Sequence, residues 1–426
     1  MLLYSAKTRL VLGELKDGLP PGAAHYSYEH VCKKFLAMLK SKAIYTQEIL
    51  RPEIYPSCDY FHNSPNNSPP DHVIFKPFEE IRLLKKARNI AYIMWEFENL
   101  PEFENLPAGH PDRGNLTNNY RRMLGICDEV FVGCSFTKQV LEKVGLKKVR
   151  VIPAPIQRRP TLDRTLATRR TILSHLNGVK AVPLGPRFEQ YKDAISLREV
   201  VTAADGSARD LFLTVANPGD MRKNLPAIIK GFARFASQHP SAVLIIKLVI
   251  DNRRIQLANV VEEIFPLRYR EIDQSAPLMI GRNIFVISDF LSDDEISGLY
   301  HLADFYLCAS YAEGQNLPLL EAMAAGAVPI SPATTAMADY INPRNAVVLG
   351  TVSTPLFNQA KTAHRLPTSN WDEVTLESLD KGLAEAVALP AGARLEKAAA
   401  SRQAVEAFCG YETVYAQMHT HLPTLQ

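Results

Sequence analysis

Short apolar runs alternate with amphipathic stretches twice along this chain, and that rhythm narrows the accessible folds more than any other feature. Apolar runs of about 4–8 residues spaced by helix-length segments make parallel sheets with crossover helices. In the first half the strand candidates are Leu10–Leu15, Ala43–Ile49, His72–Lys76, Ile90–Trp95, Glu129–Val132 and Val149–Ile152. Helix candidates fall between them at Tyr26–Leu39, Phe78–Lys86, Leu116–Leu124 and Ser135–Val144, with Ser135 and Thr137 as N-cap material for the last. A second series starts at Leu211. Its strands read Leu211–Ala216, Val243–Ile250, Ile284–Ile287, Phe305–Cys308, Val328–Ser331 and Ala346–Leu349, and its helices Leu225–Ser237, Ile255–Ile264, Asp294–Leu302 and Leu317–Ala325. Two α/β units with parallel sheets, each Rossmann-like, are expected, followed by a helical tail from Trp371.

Two segments break the rhythm. Pro52–Asp71 contains Asn-Ser-Pro-Asn-Asn-Ser-Pro-Pro and reads as an exposed loop. Residues 157–209 are rich in arginine and proline with little periodicity, and read as a connection between units with an inserted excursion. A tandem hexapeptide, Glu96–Pro101 and Glu102–Pro107, both Glu-Phe-Glu-Asn-Leu-Pro, is too short for a solenoid and reads as a lengthened loop.

At 426 residues, 46% hydrophobic and 22% charged, the chain has the composition of a globular protein with two sizeable cores. No run of about 18 apolar residues occurs. Met1 to Gly13 carries Lys7 and Arg9 within its apolar run, which fits a first strand better than a secretory signal. Six cysteines, Cys32, Cys58, Cys127, Cys134, Cys308 and Cys409, form no C-x-x-C pair and read as buried thiols in a reducing compartment. Net charge is +3, but residues 1–200 hold 30 basic and 21 acidic side chains while the remainder holds 18 and 24. The positive half can attract an anionic surface or substrate, although solvated helix faces explain each basic cluster singly, Lys33, Lys34, Lys40 and Lys42 among them.

The chemistry concentrates in two strand–turn–helix segments. In Ser310-Tyr-Ala-Glu-Gly-Gln-Asn-Leu-Pro, the amides around Gly314, Gln315, Asn316 and Leu317 form a helix start suited to an anion or to sugar hydroxyls. Glu313 precedes the turn and Glu321 lies about one helical turn in, leaning back toward the same crevice. Carboxylates accept well from vicinal hydroxyls, while a cap or a loop charge is the plainer alternative. The second segment is Thr214-Val-Ala-Asn-Pro-Gly-Asp-Met-Arg-Lys-Asn-Leu-Pro, with Asn224 as N-cap candidate. Arg222 and Lys223 sit beside a helix N-terminus, where positive charge is unfavourable, and this conflict points to an anionic partner such as a diphosphate. Lys247 is out of place in an apolar run and either reaches the same crevice or snorkels outward. No G-x-G-x-x-G, P-loop, G-x-S-x-G, D-x-D or zinc-spaced histidine pattern is present, so no metal ligand is nominated and phosphate neutralisation falls to side chains and helix ends.

Together these residues resemble glycosyltransferase family 4, the retaining nucleotide-sugar enzymes with the GT-B fold. The matching stretches are Glu313-Gly-Gln-Asn-Leu-Pro-Leu-Leu-Glu321-Ala-Met-Ala-Ala-Gly, Arg222-Lys223-Asn-Leu, Cys127-Asp-Glu-Val-Phe-Val-Gly-Cys-Ser135-Phe-Thr and Val151-Ile-Pro-Ala-Pro-Ile156. The resemblance implies two Rossmann-like domains with parallel sheets facing a cleft, and a C-terminal helix, near Tyr411–Leu422, returning to the first. The implied layout is an acceptor-binding domain at 1–156, the connection at 157–209, a nucleotide-sugar domain at 210–370 and C-terminal helices at 371–426. Carried over, Glu313 contacts the donor sugar, Glu321 the ribose, residues Gly314 to Leu317 the sugar and phosphates, and Lys223 with Arg222 the leaving diphosphate. The family often has Gly-Arg where this chain reads Ala216-Asn217, so Asn217 joins the donor set and Arg222 replaces the charge. Where many members carry a histidine, this chain reads Trp95-Glu96; these two, with His25 in a loosely glycine-rich first loop (Gly18 to His25), are the acceptor candidates.

The implied activity is transfer of a sugar from a nucleotide diphosphate to a hydroxyl of a glycan or lipid-linked acceptor in polysaccharide biosynthesis. No cofactor beyond the donor and no nucleic-acid partner is expected. The expected location is the cytoplasm, with peripheral contact at an anionic membrane. A nucleotide-sugar epimerase, or a non-catalytic glycan- or nucleotide-binding protein on the same two lobes, remains open at this stage.

Overall fold

The computed structural model describes residues 2–6, 26–55, 69–101, 108–109, 120–163, 165–184, 194–202, 207–249, 283–357, 366 and 369–425. The first series folds as β1 (Leu2–Ser5), α1 (Tyr26–Ser41), β2 (Thr46–Glu48), β3 (Asp71–Phe75), β4 (Arg88–Ile93), α2 (Tyr120–Gly125), β5 (Glu129–Val132), α3 (Ser135–Lys143) and β6 (Val149–Val151). The strands make one six-stranded sheet, parallel throughout, in the order β2-β1-β3-β4-β5-β6. Every residue of β3 is buried, as in a strand covered on both faces. Its His72 is satisfied within the sheet. Nδ1 lies 2.9 Å from Asn89 Oδ1 and Nε2 lies 2.9 Å from Ser5 Oγ, so β1, β3 and β4 are tied by one polar thread. Burial drives the His72 pKa down to about 4 against the pull of the Asn89 hydrogen bond, which leaves the ring neutral.

The connection 157–209 does more than connect. It carries α4 (Leu166–His175), β7 (Lys180–Pro183), β8 (Ile195–Ser196) and α5 (Leu197–Val201). The second series then folds as β9 (Asp210–Ala216), α6 (Leu225–Gln238), β10 (Ala242–Leu248), β11 (Ile284–Ile287), α7 (Asp293–Leu302), β12 (Phe305–Leu307), α8 (Leu317–Ala324), β13 (Val328–Pro332) and β14 (Val347–Leu349). The sheet order is β14-β13-β12-β9-β10-β11-β7-β8. All pairs from β14 to β11 are parallel, whereas β7 joins β11 antiparallel and β8 joins β7 antiparallel. Thus the excursion is an extension of the second sheet, built from strands too short to show a period. The continuous apolar run of β10 is buried on both faces. α6 turns Ile228, Ile229, Phe232, Phe235 and Ala236 to the core at helical spacing, and the Phe232 ring meets Phe212 of β9 edge-on at 5.1 Å.

β15 (Thr351–Pro355) and β16 (Asn370–Val374) pair antiparallel, and α9 (Leu376–Ala388), α10 (Ala391–Cys409) and α11 (Tyr411–His421) follow. α10 packs on the second lobe, where Ser401 Oγ donates to the Asn345 carbonyl at 2.7 Å. α11 crosses to the first lobe. Just beyond it, Thr424 Oγ1 donates to Asp71 at 2.6 Å, and Arg88 donates to the His421 carbonyl at 2.8 Å. The crossing bends at Gly410, where a Cβ would stand 2.6 Å from the Glu406 carbonyl oxygen, a separation no side-chain-bearing residue accepts.

Three expectations differ locally. Phe78–Lys86 is not a helix but a 3₁₀ turn, Phe78–Glu80, followed by irregular chain and a turn at Lys85 and Lys86. Asn89 supplies the missing backbone partners there, accepting from Leu84 N–H at 2.8 Å and donating to the Leu84 and Ala87 carbonyls at 3.0 Å. The N-cap of α3 is Cys134, whose sulfur accepts from Thr137 N–H, rather than Ser135 or Thr137. The first strand of the sheet is Leu2–Ser5; Leu10–Leu15 and Ile255–Ile264 lie outside the described residues. Cys32, Cys127, Cys134, Cys308 and Cys409 are free and buried, and Cys58 lies outside the described residues. Among the described residues no helix is long and apolar enough to cross a membrane.

Strand order locates the crevices. In the second sheet β10 and β11 lie to one side of β9, and β12, β13 and β14 to the other. The winding reverses between β9 and β12, and open α/β sheets bind ligands at the carboxyl ends of such strands.

Candidate active site at the lobe junction

Two turns leave the carboxyl ends of β9 and β12. After β9, Asn217 Oδ1 accepts from Gly219 N–H at 2.9 Å, and Asp220 caps the 3₁₀ turn Met221–Lys223 by accepting from Arg222 N–H at 3.1 Å. Asn217 therefore holds its own loop. Asn224 then takes a left-handed conformation, φ 49°, and α6 begins. After β12 the same device recurs: Asn316 at φ 61° precedes α8. Both helices open Asn-Leu-Pro, a pairing of the residue that best tolerates left-handed backbone after glycine with a proline preset for the first helical turn. Neither asparagine side chain caps its helix. Tyr311 N–H donates to the Arg222 carbonyl at 2.8 Å and so ties the two turns together.

Charges converge there. Lys223 Nζ lies 2.6 Å from Glu313 Oε1, and Glu313 is only 4% exposed. The Arg222 guanidinium forks onto Asp220, with Nε–Oδ1 at 3.1 Å and Nη2–Oδ2 at 2.7 Å, and its Nη1 lies 2.6 Å from Glu96 Oε1 of the facing lobe. Burial works against the Lys223 charge, but Glu313 and Asp220 outweigh it and raise the pKa. Arg222 is raised in the same way by Asp220, Glu96 and Glu313. Asp220 is held below the usual carboxylate range, since Arg222 and Lys223 overcome its burial. The two cations beside a helix start, which pointed to an anionic partner, are paired within the protein with three carboxylates, Asp220, Glu96 and Glu313.

The loop between Glu313 and α8 faces the first lobe. Gln315 was expected among the donor ligands; its side chain is instead spent on the backbone of Ala154. Oε1 accepts from Ala154 N–H at 2.8 Å and Nε2 donates to the Ala154 carbonyl at 2.9 Å. Its own carbonyl accepts from Tyr340 OH at 2.7 Å. The approach requires a bare backbone opposite: a Cβ on Gly133 would stand 3.0 Å from Gln315 Oε1 and 3.1 Å from the Gly314 carbonyl oxygen. A Cβ on Gly314 would stand 3.5 Å from the Trp95 backbone, an ordinary contact. Nearby, Asp339 accepts from Ser135 N–H at 2.7 Å. Asn316 donates to the Cys308 sulfur at 3.3 Å, and Leu317 is partly buried at the start of α8.

Glu321 does not share the Glu313 pair. It is buried on α8, where Lys34 of α1 forms its ion pair and Tyr300 OH hydrogen bonds it. Burial raises its pKa, but Lys34 and Arg159 overcome that and hold it down at about 2. Trp95 is not exposed to an acceptor. It is buried in the first-lobe core, its indole N–H donating to the Asn99 carbonyl at 3.1 Å and its ring edge-on to Phe78 and Phe97. Lys247 is buried at the end of β10, donates to the adjacent Leu248 carbonyl at 2.5 Å, and is pushed down to about 8 by burial. His25 lies outside the described residues. Lys34, Asp220 and Tyr300 were missed by sequence reasoning; Lys34 lay in a basic cluster that looked like a solvated helix face.

A small cavity remains behind Lys223, lined by Thr214, Tyr306, Cys308, Ser310 and Asn316 at the strand ends. Among the described residues no group of three or more His, Cys, Asp or Glu side chains is placed to hold a metal ion.

Two Rossmann-like sheets facing one another across a crevice, with a C-terminal helix returned to the first, define the GT-B fold. Residues 207–355, which contain Arg222, Lys223, Glu313 and Glu321, match the family model of glycosyl transferases group 1. No curated protein sequence matches the chain. Among solved structures, it is similar to a UDP-forming α,α-trehalose-phosphate synthase from Burkholderia xenovorans, with 12% identity over 94% of this chain and 79% of that one and a TM-score of 0.54. It is similar also to the N-terminal domain of a Candida albicans trehalose-6-phosphate phosphatase, with 12% identity, 98% and 96% coverage and a TM-score of 0.52. These likenesses concern the fold. Against a point mutant of S. aureus TarM in complex with fondaparinux, α-GlcNAc-glycerol and UDP, 82% of this chain aligns at 9% identity and a TM-score of 0.48, and it spans only 55% of that chain.

Proposed function

We propose that this chain is a retaining nucleotide-sugar glycosyltransferase of the family 4 type, moving a sugar from a nucleotide diphosphate to a hydroxyl of a glycan or lipid-linked acceptor in polysaccharide synthesis. The observation that carries the reading is the Lys223–Glu313 pair at the winding reversal of the second sheet. Its 2.6 Å contact sets a cation and a carboxylate side by side at the strand ends, and the pair parts to admit a sugar–diphosphate junction between them. When the anomeric C–O bond breaks, negative charge grows on the departing phosphate oxygen. Lys223, released from Glu313, meets that charge together with Arg222 and the amides at the start of α8, while Glu313 accepts from sugar hydroxyls. Glu321 accepts from the ribose. Glu96, partly exposed and facing from the first lobe, orients the acceptor, and the first lobe, residues 1–156, receives it. The basic first half supports peripheral contact with an anionic membrane on the cytoplasmic side.

The test is incubation of the purified chain with UDP-, GDP- and ADP-sugars while free nucleoside diphosphate is measured. Slow release from one donor without acceptor, accelerated by glycan or lipid acceptors, supports transfer. An altered sugar on intact nucleotide identifies an epimerase, and binding without turnover identifies a binding protein.

A further inference from the structure

The carboxylate assigned to the ribose is already occupied, and by the opposite lobe. Lys34 projects from α1 and forms an ion pair with Glu321 on α8, the two side chains being only 18% and 12% exposed. Arg159 adds positive potential at the same carboxylate, and Tyr300 OH hydrogen bonds it; His30, one turn earlier on α1, is kept neutral by burial and by Lys34. An ammonium and a phenol take about two of the roughly four lone-pair sites of a carboxylate, and the ammonium neutralises the charge that would strengthen its bonds to two vicinal hydroxyls. Lys34 also reaches across the junction, joining α1 of the first lobe to α8 of the second. At the other end of the crevice, Arg222–Glu96 and Gln315–Ala154 make the same kind of crossing.

We propose that Lys34 is a built-in competitor for the donor: its ammonium holds Glu321 across the lobe junction, and a nucleotide diphosphate binds only by displacing it. The inference rests on the reading of Glu321 as the ribose carboxylate. Lys34 thereby sets donor affinity and the resting position of the lobes. Its neighbour Lys33 is no substitute, being 59% exposed and paired with Glu29 at 2.8 Å.

The experiment titrates UDP, GDP and ADP calorimetrically into the full chain and into Lys34→Met, Lys34→Gln, Lys34→Arg and Lys33→Met, with small-angle scattering of each nucleotide-free protein. Both neutral Lys34 variants are expected to bind the cognate nucleotide about three- to tenfold more tightly, the range of a partly buried ion pair. Their nucleotide-free forms should show a larger radius of gyration. Lys34→Arg and Lys33→Met should match the wild type in both readouts. Unchanged or weaker binding by folded Lys34→Met and Lys34→Gln, with wild-type binding intact, overturns the competition while leaving the donor site standing. No heat from any nucleotide in any of the proteins overturns the donor reading and the competition with it.

Discussion

Lys223 and Glu313 lie 90 residues apart in the chain and meet at 2.6 Å where the second sheet reverses its winding. Each leaves the carboxyl end of a different strand, through a turn that ends in a left-handed asparagine and a Leu-Pro helix start. The sheet topology brings them together, and the Tyr311–Arg222 backbone hydrogen bond keeps the two turns in register.

Lys223→Ala removes the cation that meets charge on the departing phosphate. Turnover is expected to fall about 100- to 1,000-fold, roughly 3–4 kcal/mol of barrier, with circular dichroism unchanged. Single-turnover release of nucleoside diphosphate measures it, and near-wild-type rates would remove Lys223 from the reaction.

Glu321→Ala acts on binding rather than on bond breaking. Loss of a charged acceptor for ribose hydroxyls weakens nucleotide affinity by about tenfold or more. Calorimetric titration decides, made in a Lys34→Met background so that loss of the competing ion pair does not offset the effect, and equal affinities there exclude ribose contact.

Gln315→Ala tests the crossing between lobes. It strips both hydrogen-bond partners from the backbone of Ala154, which is 0% exposed. A loss of about 1–3 kcal/mol in denaturant stability is expected, without a change in m-value. An unchanged midpoint would show that the crossing opens freely in solution.

His72 gives the first sheet a definite pH response. Its pKa falls from an ordinary 6.5 to about 4, so the unfolded chain takes up a proton that the fold refuses. The contribution is complete above pH 6.5 and lost as pH drops toward 4, on the order of 3 kcal/mol. Unfolding midpoints from pH 7 to pH 4 should fall more steeply for the wild type than for His72→Gln; parallel curves would contradict a buried neutral ring.

Much of this architecture could be read directly from residues. Continuous apolar runs such as Val243–Ile250 announced buried parallel strands, and the structure places Ala242–Leu248 there. The Arg222-Lys223 turn was visible because positive charge beside a helix start breaks a local rule, and the Glu313 turn because a carboxylate precedes the free amides of a helix start. What stayed hidden depends on partners distant in sequence. Nothing near Lys34 signals that an acidic residue 287 positions away will claim it. Gln315 has the chemistry of a ligand and is spent on Ala154 only because the lobes close there. Trp95 looked available at a strand end but is covered by Phe78 and Phe97. Strands β7 and β8 gain their identity from the sheet edge they extend, so no period could reveal them.

The central claim is that a nucleotide-linked sugar sits between Lys223 and Glu313. A crystal structure of the chain with a non-hydrolysable nucleotide-sugar analogue tests it most directly. The account predicts a diphosphate oxygen within hydrogen-bond distance of Lys223 Nζ and a sugar hydroxyl donating to Glu313. Nucleotide density elsewhere, with the Lys223–Glu313 pair left intact, would contradict it.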